Sequence, residues 1–184
     1  MKPTKRPRSN RDFLHLPVGT APPEQLNVVV EIPSGGRNKI EFDKKLHVFR
    51  LDRVLHSPTY YPGDHGFIPQ TLASDGDPLD VLVLVSEPTF AGCLIAARPI
   101  GMLRMVDEAI PDEKILAVPL GEPEFATIVD YRDISPHVLV KIAHFFETYK
   151  QLEGKHTRSD GWANVEAAKT TIVNAISRFA DQQS

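Results

Sequence analysis

Cys93 is the only cysteine in a chain of 184 residues. No internal disulfide can form, and a reducing cytoplasm is the expected location. Its neighbours, Gly92-Cys93-Leu94-Ile95-Ala96-Ala97, suit a buried structural thiol better than a nucleophile. No apolar run approaches the ~18 residues of a membrane span. No apolar segment follows the basic residues at the start, so a secretory signal is not expected either. The chain also lacks a Walker-type G-x-x-x-x-G-K-[ST] loop, a G-x-G-x-x-G turn, a C-x-x-C pair and an H-E-x-x-H helix. Nucleoside triphosphate, dinucleotide and zinc-ribbon readings lose their usual support. With no G-x-S-x-G elbow, a serine nucleophile of that type is excluded as well.

Aromatics are scarce at 8%, and positive charge is unevenly spread. Five basic residues (Lys2, Lys5, Arg6, Arg8, Arg11) lie within residues 1–11, beside no acid. The remainder keeps 16 basic against 24 acidic residues, a net charge of −8. An acidic body with few aromatics is a poor platform for nucleic acid, which favours a basic groove with stacking rings. Residues 1–11 are expected to form a flexible basic arm, and 12–184 a single domain with a substantial core.

Negative charge, by contrast, is concentrated. Asp75-Gly76-Asp77-Pro78-Leu79-Asp80 places three carboxylates within six residues, just before the apolar run Val81-Leu82-Val83-Leu84-Val85. Carboxylates this close resist joint ionisation unless a cation sits among them. Mg²⁺, a hard ion that takes oxygen ligands, is the usual remedy. Taken locally, an acidic turn made of ordinary turn residues fits equally well. An EF-hand does not fit, since its sixth and twelfth positions would be Asp80 and Ser86 rather than Gly and Glu. Pro78 biases Asp77 toward extended backbone, where Asp75 and Asp77 share a face.

The pattern from about Leu26 to Pro119 is one of short strands broken by Pro and Gly. Leu26–Ile32 is rich in β-branched residues. Lys39–Asp43 alternates strictly, with Ile40 and Phe42 opposite Lys39, Glu41 and Asp43. Further strands are expected over Leu46–Arg53, Val81–Val85, Leu94–Met105 and Ile115–Val118, which together suggest a small barrel. The last third reads as two helices. Ser135 caps the first, Pro136 opens it, and Val138, Ile142, Phe145, Tyr149 and Leu152 form its stripe before Gly154 ends it. The second carries Val165, Ala168, Ile172, Ile176 and Phe179. The fold class is therefore α+β.

Other charged positions have ordinary alternatives. Asp107-Glu108 and Asp112-Glu113-Lys114 form a second acidic loop, which alone would read as solvated. Lys39, Glu41 and Asp43 fit a solvent-facing strand face or the charged mouth of a barrel. Arg53 has Asp52 and Asp43 at hand as partners. Tyr149 packs on a helix stripe with a hydroxyl that needs a partner, and Lys150 beside it reads as exposed. His137 and His144 lie seven residues apart and suit helix-surface roles.

In order along the chain, these segments resemble one family, the soluble Mg²⁺-dependent inorganic pyrophosphatases of family I. The resemblance runs from Phe13 to Phe179. It rests on Val30-Glu31-Ile32-Pro33, on the K-x-E-x-D strand Lys39–Asp43, and on Leu51-Asp52-Arg53. It continues through Tyr61-Pro62-Gly63-Asp64-His65-Gly66-Phe67-Ile68-Pro69 and the D-G-D-P-x-D-V segment from Asp75 to Val81. Asp107-Glu108 with Asp112 and Lys114, and His144–Lys150, complete it. His65 stands where the family usually has Tyr.

The resemblance implies an OB-like five-stranded β-barrel with additional short strands and two C-terminal α-helices. It implies hydrolysis of pyrophosphate by a metal-activated water. Asp75, Asp80, Asp107, Asp112 and Glu31 would serve the metals, several Mg²⁺ ions, with Mn²⁺ or another divalent ion as substitute. Asp77 would be the general base. Lys39, Arg53, His65, Lys114, Tyr149 and Lys150 would bind substrate, with Glu41 and Tyr61 supporting. Bacterial relatives suggest a homohexamer.

Overall fold

The computed structural model describes residues 12–183. The expected basic arm lies outside the described residues. Nine strands and two α-helices follow in chain order among them: β1 (Leu26–Ile32), β2 (Asn38–Asp43), β3 (Val48–Val54), β4 (Asp64–Phe67), β5 (Asp80–Val83), β6 (Leu94–Asp107), β7 (Ile110–Pro111), β8 (Lys114–Pro119), α1 (Pro136–Thr148), β9 (Thr157–Ala163) and α2 (Val165–Gln182).

Five strands close into a ring. β1 pairs β4, β4 pairs β5, β5 pairs β8, β8 pairs β6, and β6 returns to β1. All these pairings are antiparallel except β5–β8. This is the expected OB-like barrel. The second half of the long strand β6 continues past the ring to pair β9, Met102 with Ala163 through Asp107 with Thr157. β2 and β3 form a separate hairpin.

The uninterrupted apolar runs of the ring follow from burial of both strand faces. Val81 and Val83 of β5, with Ile115 and Ala117 of β8, join a core closed by Ala168, Ile172 and Ala175 of α2. The alternate residues Leu82 and Leu116 face a second core, closed by Leu139, Ile142, Phe145 and Phe146 of α1. A third cluster gathers Val29, Phe42 and Phe67 against Phe13 and Phe49. Two local devices shape the ring. Gly66 lies where a Cβ would stand 1.9 Å from the Val29 carbonyl oxygen, so β1 and β4 meet only because no side chain is there. The β1–β4 register skips between Val30 and Ile32, so Glu31 sits at an irregularity, the usual means of re-aiming a side chain.

Several sequence expectations change. Asp64–Phe67 and Thr157–Ala163 are strands that the pattern did not announce. β3 begins at Val48, because the turn before it runs through His47 at φ 55°. α1 stops at Thr148, and Gly154 (φ 74°) closes a short 3-10 turn over Gln151–Glu153 instead. Leu152, placed on the α1 stripe by periodicity, is 66% exposed, whereas Leu139 and Phe146 are buried. Ser135 occupies the N-cap position without a side-chain capping bond.

Candidate active site

A cavity of about 330 Å³ opens at the end of the ring where β5 and β8 begin and β6 ends. Thirteen of the fourteen sequence-predicted site residues line it: Glu31, Lys39, Glu41, Tyr61, His65, Asp75, Asp77, Asp80, Asp107, Asp112, Lys114, Tyr149 and Lys150. Arg53 does not. Its guanidinium is held outside by Glu153, with Nε to Oε1 at 2.9 Å and a second contact at 2.7 Å, and by Asp52. Lys39 lies 3.8 Å from the same Asp52. Lys44 lines the cavity and was not anticipated. Its ammonium donates to Asp77 Oδ1 at 2.6 Å. The only signal for it was its position directly after the K-x-E-x-D strand.

Ring elements carry the most buried groups. Lys114 begins β8, is 5% exposed and donates to both Asp80, at the start of β5, and Asp112 Oδ1, the latter at 2.6 Å. Burial pushes the Lys114 ammonium down, but the two carboxylates outweigh it and hold the group well above its ordinary value. Burial drives the Asp80 carboxyl up, and Lys114 overcomes that to leave it low. At Asp112 burial prevails and the carboxyl stays raised. Asp107, ending β6, accepts from Lys150 at 2.5 Å through Oδ2, while its Oδ1 is buried with no hydrogen-bond partner among the described residues. The Lys150 ammonium also stands 5.3 Å from the centre of the Tyr149 ring, over its face.

Glu31 Oε1 accepts from the Phe42 backbone N–H at 2.7 Å, which ties β1 to the hairpin. Burial pushes its carboxyl up to about 8, against that hydrogen bond, and the nearby Asp80 and Glu41 add to the rise. Lys39 donates to Glu41. Asp75 and Asp77 lie on an exposed loop, where Asp75 Oδ1 accepts from the Asp77 N–H at 3.0 Å. Tyr61 is buried and meets the rings of His65, Phe145 and Tyr149 at centroid separations of 5.2, 4.7 and 6.3 Å. His65, on β4, lies between Tyr61 and Phe146. Burial takes its imidazole down to about 4.

The donor set bears on cation binding. Among the described residues no three His, Cys, Asp or Glu groups already converge as a metal cage. Ammonium groups stand among the carboxylates instead, Lys114 between Asp80 and Asp112 most clearly. A place that draws a lysine between two buried carboxylates is a place that needs positive charge. The buried Asp107 Oδ1, without a hydrogen-bond partner among the described residues, leaves one oxygen open to a further cation. The carboxylates offer oxygen donors throughout, which suit a hard divalent ion.

Barrel and cavity define a class, an OB-like β-barrel with a cleft of carboxylates and lysines at its mouth. A family model described as inorganic pyrophosphatase matches residues 28–180, and the chain belongs to the inorganic pyrophosphatase family. The inorganic pyrophosphatase of a Nostoc species is 51% identical over 157 residues, 85% of this chain and 93% of that protein. That of Methanosarcina acetivorans is 49% identical over 156 residues, 85% and 93% of the two chains. The crystal structure of inorganic pyrophosphatase from Thermus thermophilus superposes with a TM-score of 0.90 at 42% identity, covering 92% of this chain and 99% of that one. No helix among the described residues is long and apolar enough to cross a membrane.

Proposed function

We propose that this protein hydrolyses inorganic pyrophosphate to two orthophosphates, using divalent cations, Mg²⁺ foremost, at the carboxylates of the barrel mouth. The observation that carries this reading is the mixing of seven carboxylates with four lysines around one cavity, in a chain of this family. Pyrophosphate is a compact polyanion. Its transfer chemistry calls for charge neutralisation, a positioned water and little else from the protein.

The residues divide by charge and position. Asp75, Asp80, Asp107, Asp112 and Glu31 would hold the cations, which when bound supply a water of low pKa and neutralise phosphoryl charge. Asp107 Oδ1 is the readiest of these oxygens, being buried and unpartnered. Asp77 is the general base or orienter of the attacking water. Its exposure and its single lysine partner leave the carboxylate free to accept a proton at Oδ2. Lys39, Lys114, Tyr149, Lys150 and His65 bind the two phosphates. Arg53 would join them only by leaving Glu153, which with Asp52 holds it outside the cavity. Glu41 and Tyr61 hold the network and the rings in place. In this reading the enzyme works in the cytoplasm as a homohexamer.

Phosphate release from pyrophosphate, with and without Mg²⁺, tests the reaction. Asp77→Asn is expected to keep fold and cation binding while losing roughly 10²–10³ in kcat, comparable to loss of one transition-state group. Near-normal turnover by the folded variant would remove the assignment of Asp77. No Mg²⁺-dependent release by folded wild type would overturn the function. Sedimentation as a stable monomer would end the hexamer proposal.

A further inference from the structure

We propose that His65 gives the cation site at Asp80 a nitrogen donor, and so tilts this chain toward imidazole-seeking ions such as Mn²⁺ or Co²⁺ over Mg²⁺. The inference rests on the cation-dependent reading above and changes two of its details: His65 serves the cation rather than a phosphate, and the choice of ion moves away from Mg²⁺. Every other candidate donor at the mouth is an oxygen. Divalent Mg²⁺ gains little from nitrogen, whereas first-row transition ions bind imidazole well and carboxylate too.

Geometry places the ring for that role. His65 lies on β4 opposite Leu82, diagonally across from Asp80 at the start of β5. Its Nε2 lies 3.7 Å from Asp80 Oδ2, too long for a hydrogen bond but a suitable spacing for two atoms serving one ion. Its Nδ1 is buried without a hydrogen-bond partner among the described residues. A buried ring with neither nitrogen bonded is uncommon, because buried polar atoms almost always find partners. The surrounding Tyr61 and Phe146 rings, at 5.2 and 6.0 Å, fix the plane of the imidazole and provide no acceptor. His65 is 8% exposed and lines the cavity, so the ring is held in place while the Asp80 side of the site stays open to an ion. Lys114, which shares Asp80 Oδ2, is the group that an incoming ion would have to displace or accompany.

The experiment uses the full chain and metal ions alone, without substrate. Wild type, His65→Tyr and His65→Gln are loaded with less than one equivalent of Mn²⁺ and examined by pulsed electron paramagnetic resonance for directly bound ¹⁴N. Mn²⁺ and Mg²⁺ affinities are measured by calorimetry. His65→Tyr keeps an aromatic ring between Tyr61 and Phe146 and replaces nitrogen with oxygen. His65→Gln covers the case in which the tyrosine variant fails to fold. Wild type is expected to show the nitrogen coupling and both variants to lose it. Mn²⁺ affinity should fall at least about tenfold in the variants, the scale on which ligand-shell losses act, with Mg²⁺ affinity changed less than about twofold. Absence of coupling in wild type overturns the proposal, as does an unchanged Mn²⁺ to Mg²⁺ affinity ratio in the variants. Coupling that survives in both variants assigns the nitrogen to one of the other histidines and also overturns it. Failure of pyrophosphate hydrolysis with either ion, alongside intact coupling, would sink the catalytic reading and leave this one standing.

Discussion

Replacing Asp64 with alanine should unfold the protein more readily than any substitution in the exposed acidic loop, and the size of the effect can be worked out. Asp64 has 0% exposure. Its Oδ1 accepts from the Ser34 N–H at 2.7 Å, and its Oδ2 accepts from the Thr89 N–H at 3.1 Å and the Thr89 hydroxyl at 2.5 Å. One carboxylate thus ties β4 to the segment after β1 and to the segment before β6. Three donors left without an acceptor cost about 1–3 kcal/mol each when buried. All three contacts are only partly buried, so water recovers some of this. A net loss of about 4 kcal/mol is expected. Asparagine can keep Oδ2 as an acceptor, but it turns an amide against the Ser34 N–H, so Asp64→Asn should cost about 2 kcal/mol. Thr89→Val removes one bond and should cost about 1 kcal/mol. With a urea slope of about 2 kcal/mol per molar, the midpoint should fall by about 2 M for alanine and about 1 M for asparagine. Protein concentration is held fixed, since the stability of any oligomer depends on it. A shift under about 0.5 M for Asp64→Ala, or an asparagine variant as unstable as the alanine one, would refute the reasoning.

Gly66→Ala should not give a soluble native protein, since its Cβ would meet the Val29 carbonyl oxygen at 1.9 Å. Recovery of a cooperative thermal transition near that of wild type would contradict the close strand approach. Lys114→Met leaves Asp80 and Asp112 without their shared ammonium and should lower stability by about 3 kcal/mol, as for a broken buried ion pair. Added Mg²⁺ should then raise Tm by more than it does in wild type, and equal shifts would argue against the charge-substitution account. Asp43 accepts from the Leu46 and Lys45 N–H groups at 2.9 Å each, which hold its carboxyl below its ordinary value. The stability that it contributes is present above the unfolded carboxyl's pKa and is lost as pH falls through the lower folded one. Asp43→Asn should therefore flatten the fall of Tm below about pH 4, and an unchanged acid limb would exclude Asp43 as a contributor.

Much of this molecule was readable from sequence where local pattern and tertiary context agree. The β-branched run of β1 and the alternation of β2 gave their strands directly. The doubly apolar runs of β5 and β8 marked strands buried on two faces. β4 was hidden because Pro62, Gly63 and Gly66 read as turn punctuation. Gly66 is in fact required by the strand contact itself. β9 was hidden because Thr157–Ala163 is polar and contains Gly161, and only pairing with β6 makes it a strand. Leu152 fitted a periodic stripe that outlasted its helix. The cavity residues were legible as types in order, but their partners were not. That Lys114 joins Asp80 to Asp112, that Lys44 meets Asp77, and that Arg53 turns to Glu153 rather than inward all depend on distances between elements far apart in the chain.

The closed ring has a consequence for the order in which the protein can be made. β8 is the last ring strand in the sequence, and it alone bridges β5 and β6. A chain emerging from the ribosome therefore has two open strand edges until Pro119 has been synthesised. Open edges are templates for pairing with other chains, and long-range pairing is slow to form. The hazard ends in one step, when a single six-residue strand, Lys114–Pro119, fills the gap. That strand also begins with the lysine that joins Asp80 to Asp112, so the barrel and its charged mouth come into being together.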